Sequence, residues 1–246
     1  MFALPRDFRF AAATGLDGNR IMNEFQRLSP EQIQTLSFEI IEGLLPDFDR
    51  FSPSWPIVRR MVHTAGDPSI APLILFHPDA VSSGLGALLA GRSILTDVKM
   101  VAAGIDRRLA GRLGCQVVCA NEEPVAPALE SAGRTTRSAA AIFSLSDRIP
   151  GSIVAIGNAP TALFALLQLL RDGLEPPALI IGTPVGFVGA AESKRELVTL
   201  GEQLVPYVTL EGTRGGSAMA VAAVNALLGL ASAELDRRTA GLDGSS

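Results

Sequence analysis

The sequence has only two cysteines, Cys115 and Cys119, and only two histidines. The cysteines lie four residues apart in a strand-like stretch, where that spacing is wrong for a disulfide within one strand. No histidine-rich segment accompanies them, so the sequence does not complete a zinc ligand set. We therefore expect buried, reduced thiols and no metal centre.

Basic runs and aromatic residues are also scarce. The net charge is −4, the pI is about 5.3 and aromatic residues make up 5% of the chain. A nucleic-acid-binding surface needs a basic face, and single-strand binders add aromatic platforms. We expect no nucleic-acid partner, although local Arg side chains and backbone N–H groups allow an acidic protein to bind an acidic ligand.

Long apolar runs are missing as well, although 48% of the 246 residues are hydrophobic. The longest candidate, residues 218–230, is rich in small residues and too short to span a bilayer, so it predicts a closely packed core helix. The first 15 residues do not have the basic start and apolar block of a secretory signal. We expect a cytoplasmic protein with no membrane partner.

The chain does contain three consecutive strand–loop–helix patterns. Apolar runs at residues 153–157, 180–181 and 207–210 each end in a loop rich in small or turn-forming residues and continue as a helix. Such units predict an α/β fold with a mainly parallel sheet flanked by helices and a ligand site at the C-terminal strand ends. The length fits a single domain, although length alone does not exclude two.

The rest of the chain predicts shorter elements. Ser29 suits an N-cap, Pro30 the first helical position and Gln32 the third, so a helix is expected from there to about residue 45, before Pro46. Further strands are predicted at residues 93–97 and 117–120. Further helices are predicted at residues 54–64, 78–90, 98–104, 124–132 and 136–145.

The most informative loop follows the second of the three strands, at residues 182–189, and reads Gly-Thr-Pro-Val-Gly-Phe-Val-Gly. Glycine adopts backbone angles closed to other residues, and Pro184 fixes one angle without offering an N–H group. A glycine-rich loop between a strand and a helix exposes N–H groups that favour negative charge. We expect the three loops to meet at one anion-binding site.

Together these loops resemble those of the precorrin-8X and cobalt-precorrin-8 methylmutases of cobalamin biosynthesis. The matching tracts are Gly-Asn-Ala-Pro-Thr-Ala-Leu-Phe from residue 157, the run at residues 184–194, and Gly-Thr-Arg-Gly-Gly-Ser from residue 212. Upstream, Met-Val-His-Thr from residue 61, Thr96-Asp97, and Thr-Arg-Ser-Ala-Ala from residue 136 also fit. The resemblance covers roughly residues 30–230 in consistent order.

The resemblance implies an isomerase that moves a methyl group between adjacent ring carbons. It converts precorrin-8X to hydrogenobyrinate, or cobalt-precorrin-8 to cobyrinate. No atoms are lost, so no cofactor is implied, and cobalt enters only as part of the substrate. A homodimer that binds this corrin-precursor tetrapyrrole is also implied.

The resemblance also divides the chain into three segments. These are an N-terminal extension at residues 1–28, a methylmutase-like α/β domain at residues 29–232 and a C-terminal tail at residues 233–246. Two interpretations of the extension are open, a disordered tail or an arm that packs on a partner subunit.

His63 is the candidate catalytic residue. An imidazole delivers and takes back a proton near neutral pH. From the residues alone, a histidine in the last turn of a helix is more typical of a bond to a carbonyl or to the helix dipole. The resemblance implies instead that His63 is the proton donor and acceptor. His77 has no counterpart in the family and is expected to be a surface or loop histidine.

The implied substrate carries many carboxylates around a wide ring, so donors are needed along a wide rim. Arg137 and Arg214 suit this role because a guanidinium binds a carboxylate through two parallel bonds. The substrate-binding residues that the resemblance implies are Thr64, Thr96, Asp97, Thr135, Thr136, Arg137, Ser138, Asn158, Ala159, Pro160, Thr161, Pro184, Val185, Gly186, Phe187, Val188, Glu192, Ser193, Lys194, Arg214, Gly215, Gly216 and Ser217.

Structural roles stay open for several of these residues. N-capping is open for Thr135, Thr136 and Ser138 at the start of one helix and for Asn158 and Thr161 at the start of another, and Asp97 is expected to cap the helix that follows it. Phe187 is expected either against the macrocycle or in the core. Glu192 and Lys194 are expected to orient the loop or each other, although two positions apart on a helix they should not pair directly.

Two other functions share the glycine-rich strand exits. One is an adenosylmethionine- or nucleotide-dependent transferase on a Rossmann-like sheet. The G-x-G-x-x-G signature of that class does not follow the first strand of this sequence. The other is a non-catalytic tetrapyrrole carrier, which has no need of His63. The stretch at residues 65–73 and Lys99 depart from the family pattern, which leaves the choice between a metal-free and a cobalt-containing ring open.

Overall fold

The computed structural model describes residues 28–124 and 136–243. Residues 1–27 of the proposed extension, most of the helix predicted at residues 124–132, Thr135 and the last three residues lie outside these ranges. The chain divides into two compact units, Met1–Pro46 and Asp47–Ser246.

Helix α1, Pro30–Leu44, belongs to the first unit and starts as predicted. The Gln32 N–H donates to the Ser29 hydroxyl at 3.3 Å, and the Ser29 N–H donates to the Gln32 side-chain oxygen at 2.8 Å. This reciprocal capping box supplies partners for two groups that the first turn of a helix leaves unpaired.

The second unit contains a six-stranded sheet. Its strands are β1 (Ile74–Phe76), β2 (Ile94–Thr96), β3 (Val117–Cys119), β4 (Ile153–Ile156), β5 (Leu179–Gly182) and β6 (Tyr207–Leu210). The order across the sheet is β1-β6-β5-β4-β2-β3. All neighbours are parallel except β1 and β6, which are antiparallel. The prediction of a mainly parallel sheet is confirmed, whereas the edge strand β1 was not predicted.

Helices cover both faces of this sheet. They are α2 (Trp55–Ala65), α3 (Ala80–Leu89), α4 (Lys99–Gly104), α5 (Arg107–Arg112), α6 (Arg137–Ser144), α7 (Pro160–Arg171), α8 (Ala190–Leu204) and α9 (Ser217–Asp243). Helix α9 packs against α2, α3 and α4, whereas α7 packs between α6 and α8. Strands buried on both faces read as continuous apolar runs, which explains why β4, β5 and β6 were visible in the sequence.

Alternation along β5 shows the two layers. Leu179 points towards α3 and α9, where it lies beside Gly84 and Leu227. Ile180, the next residue, belongs to a buried cluster with Leu163 of α7 and Leu197 of α8. Successive side chains of a strand point to opposite faces, so one strand anchors both helical layers.

Helix α9 is longer than the sequence analysis predicted. It continues past residue 230 to Asp243, because Glu234 pairs with Arg237 and Arg238 along the helix and Asp236 pairs with Arg112. Its segment Ser217–Ala240 is long and apolar enough to cross a membrane, by length and composition alone. However, 56% of its most apolar window is buried inside the protein. The core-helix interpretation is therefore retained.

Two glycines of α3 provide a test of this packing. A Cβ atom at Gly84 would lie 2.9 Å from a methyl carbon of Leu179, whereas a Cβ at Gly86 would meet nothing within 4 Å. We predict that Gly86→Ala raises the free energy of unfolding by up to about 1 kcal/mol through helix propensity. Gly84→Ala should lower it by about 1–3 kcal/mol because buried leucines must move. Urea unfolding of both variants checks the pair, and equal effects would contradict the packing.

Candidate functional site

The loops that follow β2, β4, β5 and β6 meet at the C-terminal edge of the sheet. The Gly186 N–H donates to the Thr213 carbonyl at 3.1 Å, and the Gly216 N–H donates to the Thr183 carbonyl at 2.8 Å. Gly157 lies so close to the start of α9 that a Cβ there would be 2.7 Å from the Ser217 Cα. The parallel strands therefore bring the predicted loops together.

Asp97 joins two of these loops. Its carboxylate accepts hydrogen bonds from the N–H groups of Gly157, Asn158 and Ala159 at 3.1, 2.9 and 3.0 Å. From β2 the chain moves to β3 at one edge, whereas β4, β5 and β6 lie on the other side of β2. A reversal of this kind opens a crevice beyond the strand ends. Asp97 lies at this crevice and fixes the loop that leads into α7.

The prediction that Asp97 caps the helix after it is wrong. Val98 is the N-cap of α4 and has no side-chain capping bond, because the Asp97 carboxylate is directed at the β4–α7 loop instead. Asp97 is only 1% exposed. Burial raises the pKa of its carboxyl, and the backbone N–H groups oppose that rise.

Glycine is required where the β6–α9 loop passes β5. Gly215 has φ of +156°, and a Cβ there would lie 2.4 Å from the Thr183 carbonyl oxygen. Gly216, with φ of +116°, donates its N–H to the same oxygen. No L side chain is tolerated at such a close backbone approach. The motif Gly-Gly-Ser therefore shapes the entrance to α9.

The loop between β5 and α8 forms an apolar projection. Phe187 is 93% exposed and Val188 is 88% exposed, whereas Pro184 before them is buried. Gly189, with φ of +81°, then begins α8. The exposure excludes a core role for Phe187 within the part of the chain that the structure describes.

Two helix starts are linked beside this loop. The Thr136 hydroxyl donates to the Thr161 hydroxyl at 2.7 Å and accepts from the Ala139 N–H at 3.3 Å. Thr136, one of three candidates at this helix start, is therefore the N-cap of α6. Asn158 does not cap α7, because Ala159 occupies that position. The Arg137 guanidinium donates to the Asn121 carbonyl at 3.4 Å and is otherwise exposed.

Lys194, expected to bind the substrate or to orient the loop, is buried beneath the rim. Its side chain is 2% exposed, and its ammonium donates to the Arg214 carbonyl at 2.5 Å. Burial lowers the pKa of this amine to about 8. Glu192 pairs with Arg195 at 3.6 Å, so the absence of a Glu192–Lys194 pair is as predicted.

Arg214 is bonded on its other side by residues that sequence reasoning missed. Its guanidinium donates to the Asp67 carboxylate at 3.1 Å and to the Ser69 hydroxyl at 3.0 Å. Hydrogen bonds from Ser69 and the positive charge of Arg214 lower the pKa of Asp67. Both partners lie in the stretch that departs from the family pattern, so that stretch connects the end of α2 to the β6–α9 loop.

His63 lies in the last turn of α2 and is exposed. Gly66 ends this helix in the left-handed region, with its N–H bonded to the carbonyls of Val62 and His63. The next residue, Thr64, lines a cavity of about 380 Å³ together with Ala218 at the start of α9. Only three residues separate His63 from Asp67, so the imidazole belongs to the segment tied to Arg214.

The predicted site residues fall into three groups by accessibility. Buried residues are Thr96, Asp97, Pro184, Ser193, Lys194 and Ser217. Half-buried residues are Ser138, Ala159, Pro160, Gly186, Gly215 and Gly216. Exposed residues are His63, Thr64, Thr136, Arg137, Asn158, Thr161, Val185, Phe187, Val188, Glu192 and Arg214.

Two buried hydroxyls of this set already have backbone partners. Thr96 donates to the Val118 carbonyl at 3.2 Å, and Ser193 donates to the Ala190 carbonyl at 3.0 Å. Both therefore stabilise the scaffold of the site.

The remaining predictions concern residues away from these loops. Cys115 and Cys119 are free and buried, as expected. His77 follows β1, accepts the Asp79 N–H at Nδ1 and packs edge-on against Tyr207. Tyr207 begins β6, so His77 lies at the opposite end of the sheet from the glycine-rich loops.

Asp97→Asn tests the bonds that hold the β4–α7 loop. Both carboxylate oxygens accept N–H groups, so an amide must turn one NH₂ towards a donor. We predict a loss of about 1–3 kcal/mol in the free energy of unfolding. The matched control, Asp172→Asn, changes an exposed carboxylate and should stay within about 0.5 kcal/mol of wild type. Urea unfolding measures both, and a fully stable Asp97→Asn variant would contradict the assignment.

Comparison with known proteins agrees with the resemblance seen in the sequence. The family model described as Precorrin-8X methylmutase matches residues 32–230. A precorrin-8X methylmutase from Sinorhizobium sp is 49% identical over 193 residues, 78% of this chain and 90% of that protein. A cobalt-precorrin-8 methylmutase from Priestia megaterium is 40% identical over 209 residues, 83% of this chain and 90% of that protein.

The fold also matches a solved structure. The precorrin-8X methylmutase of Thermus thermophilus aligns with a TM-score of 0.73 and 40% identity, covering 82% of this chain and 98% of that one. The matched sequence contains His63, Asp97 and all the glycine-rich loops at the C-terminal edge of the sheet. The family match, the relatives and the shared fold agree, and the chain belongs to the precorrin-8X methylmutase family of isomerases.

Proposed function

We propose that this protein moves a methyl group between adjacent carbons of a corrin-precursor ring. It converts precorrin-8X to hydrogenobyrinate, or cobalt-precorrin-8 to cobyrinate, in cobalamin biosynthesis. The observation that carries the proposal is that four strand-exit loops, most of them glycine-rich, meet at one edge of the sheet. The Arg214–Asp67 ion pair connects one of these loops to the segment that carries the exposed His63. Relatives that act on each of the two rings match the chain, so both rings are candidate substrates.

In the proposed mechanism, the loops hold the macrocycle and His63 passes one proton. Protonation of the ring near the acceptor carbon leaves that carbon electron-poor, so it attracts the bonding pair of the migrating methyl group. The methyl group migrates, its bond to the donor carbon breaks as the new one forms, and the proton returns to His63. Atoms and electrons balance without a cofactor. The protein supplies orientation and a proton, and the conjugated ring supplies the rest.

The substrate-binding set divides by what each side chain reaches. Under this proposal, exposed donors such as Thr136, Arg137 and Arg214 bind ring carboxylates and Phe187 covers an apolar face of the ring, and their exposure supports this assignment. Buried members such as Asp97 and Lys194 act by fixing the loops. Thr135 stays a predicted contact outside the described residues.

His63→Ala tests the proton-transfer role. General acid–base groups contribute about 10²–10⁴-fold to rate, so we predict a loss of that order in kcat with ring binding retained. An absorbance time course with precorrin-8X and, separately, cobalt-precorrin-8 measures both, because methyl migration changes the conjugation.

The control is His77→Ala, which removes the chain's other histidine at the far end of the sheet. This variant should turn over like wild type. Full activity in His63→Ala would overturn the histidine's role. Wild-type binding without turnover would favour a carrier, and no binding of either ring would favour the transferase alternative.

We also propose a homodimer in the cytoplasm. The exposed pair Phe187 and Val188 supports association, because large apolar side chains that lie together on an exposed projection are a common feature of interfaces. The two free cysteines support a reducing compartment. We also propose that the methylmutase-like domain spans residues 29–232, with the extension before it and the C-terminal tail after it.

Light scattering tests the association. We expect the purified wild-type protein to elute with twice the 25.8 kDa mass of the chain at micromolar concentration. A Phe187→Ser, Val188→Ser variant should shift towards the monomer, because the apolar area that favours association is removed. The control, Phe51→Ser, alters another fully exposed phenylalanine. A monomeric wild type would contradict the dimer.

A further inference from the structure

Lys194 is one of only two lysines in the chain, and it occupies an unusual position. It is among the largest fully buried side chains of the protein, at 2% exposure. Lysine is rarely buried to this extent without a partner of opposite charge. In the described part of the chain, no carboxylate lies within 4 Å of its ammonium, and its hydrogen-bond partner is the Arg214 carbonyl.

The charged groups around this ammonium have other partners or lie farther away. Lys194 lines a cavity of about 290 Å³ with Arg195 of its own helix and Glu211 of the β6–α9 loop. Arg195 pairs with Glu192, and Arg214 pairs with Asp67. A charge without a counter-ion at this position costs stability, so its retention suggests a role in function.

The bonded carbonyl lies in a loop that needs external support. Gly212, Gly215 and Gly216 all have positive φ, so the loop has high conformational freedom when it is not held. Its other backbone tethers are the Glu211 N–H to the Leu73 carbonyl, the Gly186 N–H to the Thr213 carbonyl and the Gly216 N–H to the Thr183 carbonyl. The Arg214 guanidinium adds side-chain bonds to Asp67 and Ser69. Lys194 holds the Arg214 carbonyl, which lies between these backbone tethers, through a charge-assisted bond, which is stronger than a neutral one.

We propose that Lys194 is a positioning residue whose ammonium fixes the Arg214 backbone, and with it the N–H groups and guanidinium that face the ring carboxylates. The substrate named here rests on the proposed function, whereas the effect of Lys194 on the loop does not. The protonated form is the one that holds the loop in its binding-competent arrangement. Deprotonation weakens the bond and lowers affinity for an anionic ring.

The pH dependence has opposite signs for stability and for binding. The amine pKa is about 8 in the folded protein against an ordinary value of 10.5. Between these values the unfolded chain binds more protons, so the contribution of Lys194 to stability rises with pH. Ring affinity should fall over the same range as the amine loses its proton. A purely structural lysine would not produce this opposition.

Lys194→Met removes the charge and keeps a straight apolar side chain of similar length. We expect a thermal midpoint equal to or above that of wild type, a KM raised about ten- to hundredfold and a smaller change in kcat. The fall in affinity for hydrogenobyrinate between pH 7 and 9, seen in wild type by absorbance titration, should be absent. The matched control, Lys99→Met, removes the exposed lysine that pairs with Glu122 and should behave like wild type.

A measurement on the wild-type protein serves if the variant fails to fold. With ¹³C-labelled lysine only two ε-carbon signals are expected, and Lys99→Arg assigns them. Reciprocity requires that hydrogenobyrinate, if it binds the ammonium form tenfold better, raises the Lys194 titration midpoint by about one unit. An unchanged midpoint on ring binding, or an unchanged KM and pH profile in Lys194→Met, would overturn the proposal.

The effect on the loop is measurable without any substrate. Amide signals of residues 213–217 in the unliganded protein should shift with the same midpoint as the Lys194 signal. Amide signals that do not shift with pH would overturn the positioning role even if the enzyme turns over precorrin-8X. Shifting amides in a protein that binds neither ring would support the role of Lys194 while rejecting the proposed substrate.

Discussion

The geometry of this site depends on how backbone polar groups are satisfied at the ends of the parallel strands. Beyond the sheet these groups lose their ladder partners, and buried N–H or carbonyl groups without partners are costly. Asp97 accepts the N–H groups of Gly157, Asn158 and Ala159, and Lys194 donates to the Arg214 carbonyl. Two buried charges of opposite sign therefore serve the backbone of two different loops.

This use of charge explains why neither side chain reaches the surface. A carboxylate that accepts several N–H groups, or an ammonium bonded to a carbonyl, forms bonds about twice as strong as those of neutral groups. These bonds hold loops that are rich in glycine and so lose more conformational freedom on folding. Gly157 and Gly215 have no room for a side chain, because they lie against backbone atoms of neighbouring segments. Close backbone approach and buried charges together hold these loops in place.

The sequence predicted the elements whose signals are local. Buried parallel strands appear as apolar runs, so β4, β5 and β6 and the helices after them were visible. Strand β1 has three residues and is paired with β6, which lies over 130 positions later, so no local pattern reveals it. The length of α9 was underestimated because its last turns are polar and are stabilised by ion pairs, including one to Arg112.

Site residues whose role depends on distant partners were harder to predict. Asp97 bonds to residues some 60 positions away and Lys194 to one 20 positions away, so their burial follows from packing and not from spacing. The link from Arg214 to Asp67 and Ser69 lies in a stretch where the family pattern gave no guidance. By contrast, an N-cap among Thr135, Thr136 and Ser138 was predictable because the donor that the Thr136 hydroxyl accepts is only three residues away.

The contrast between the rigid inner loops and the projecting Phe187 fits the chemistry of a corrin precursor. Such a ring combines an apolar conjugated plane with carboxylates at its edge, so it needs fixed donors around a rim and an apolar surface across a face. In the proposed function, the donors for the carboxylates lie on loops that buried charges hold to the sheet. The surface proposed for the apolar face lies on a loop bounded by Gly186 and Gly189, both with positive φ. Because a methyl shift needs the ring held in one orientation, rigidity belongs at the carboxylate rim, where a displacement of about 1 Å is enough to reduce the rate about 100-fold.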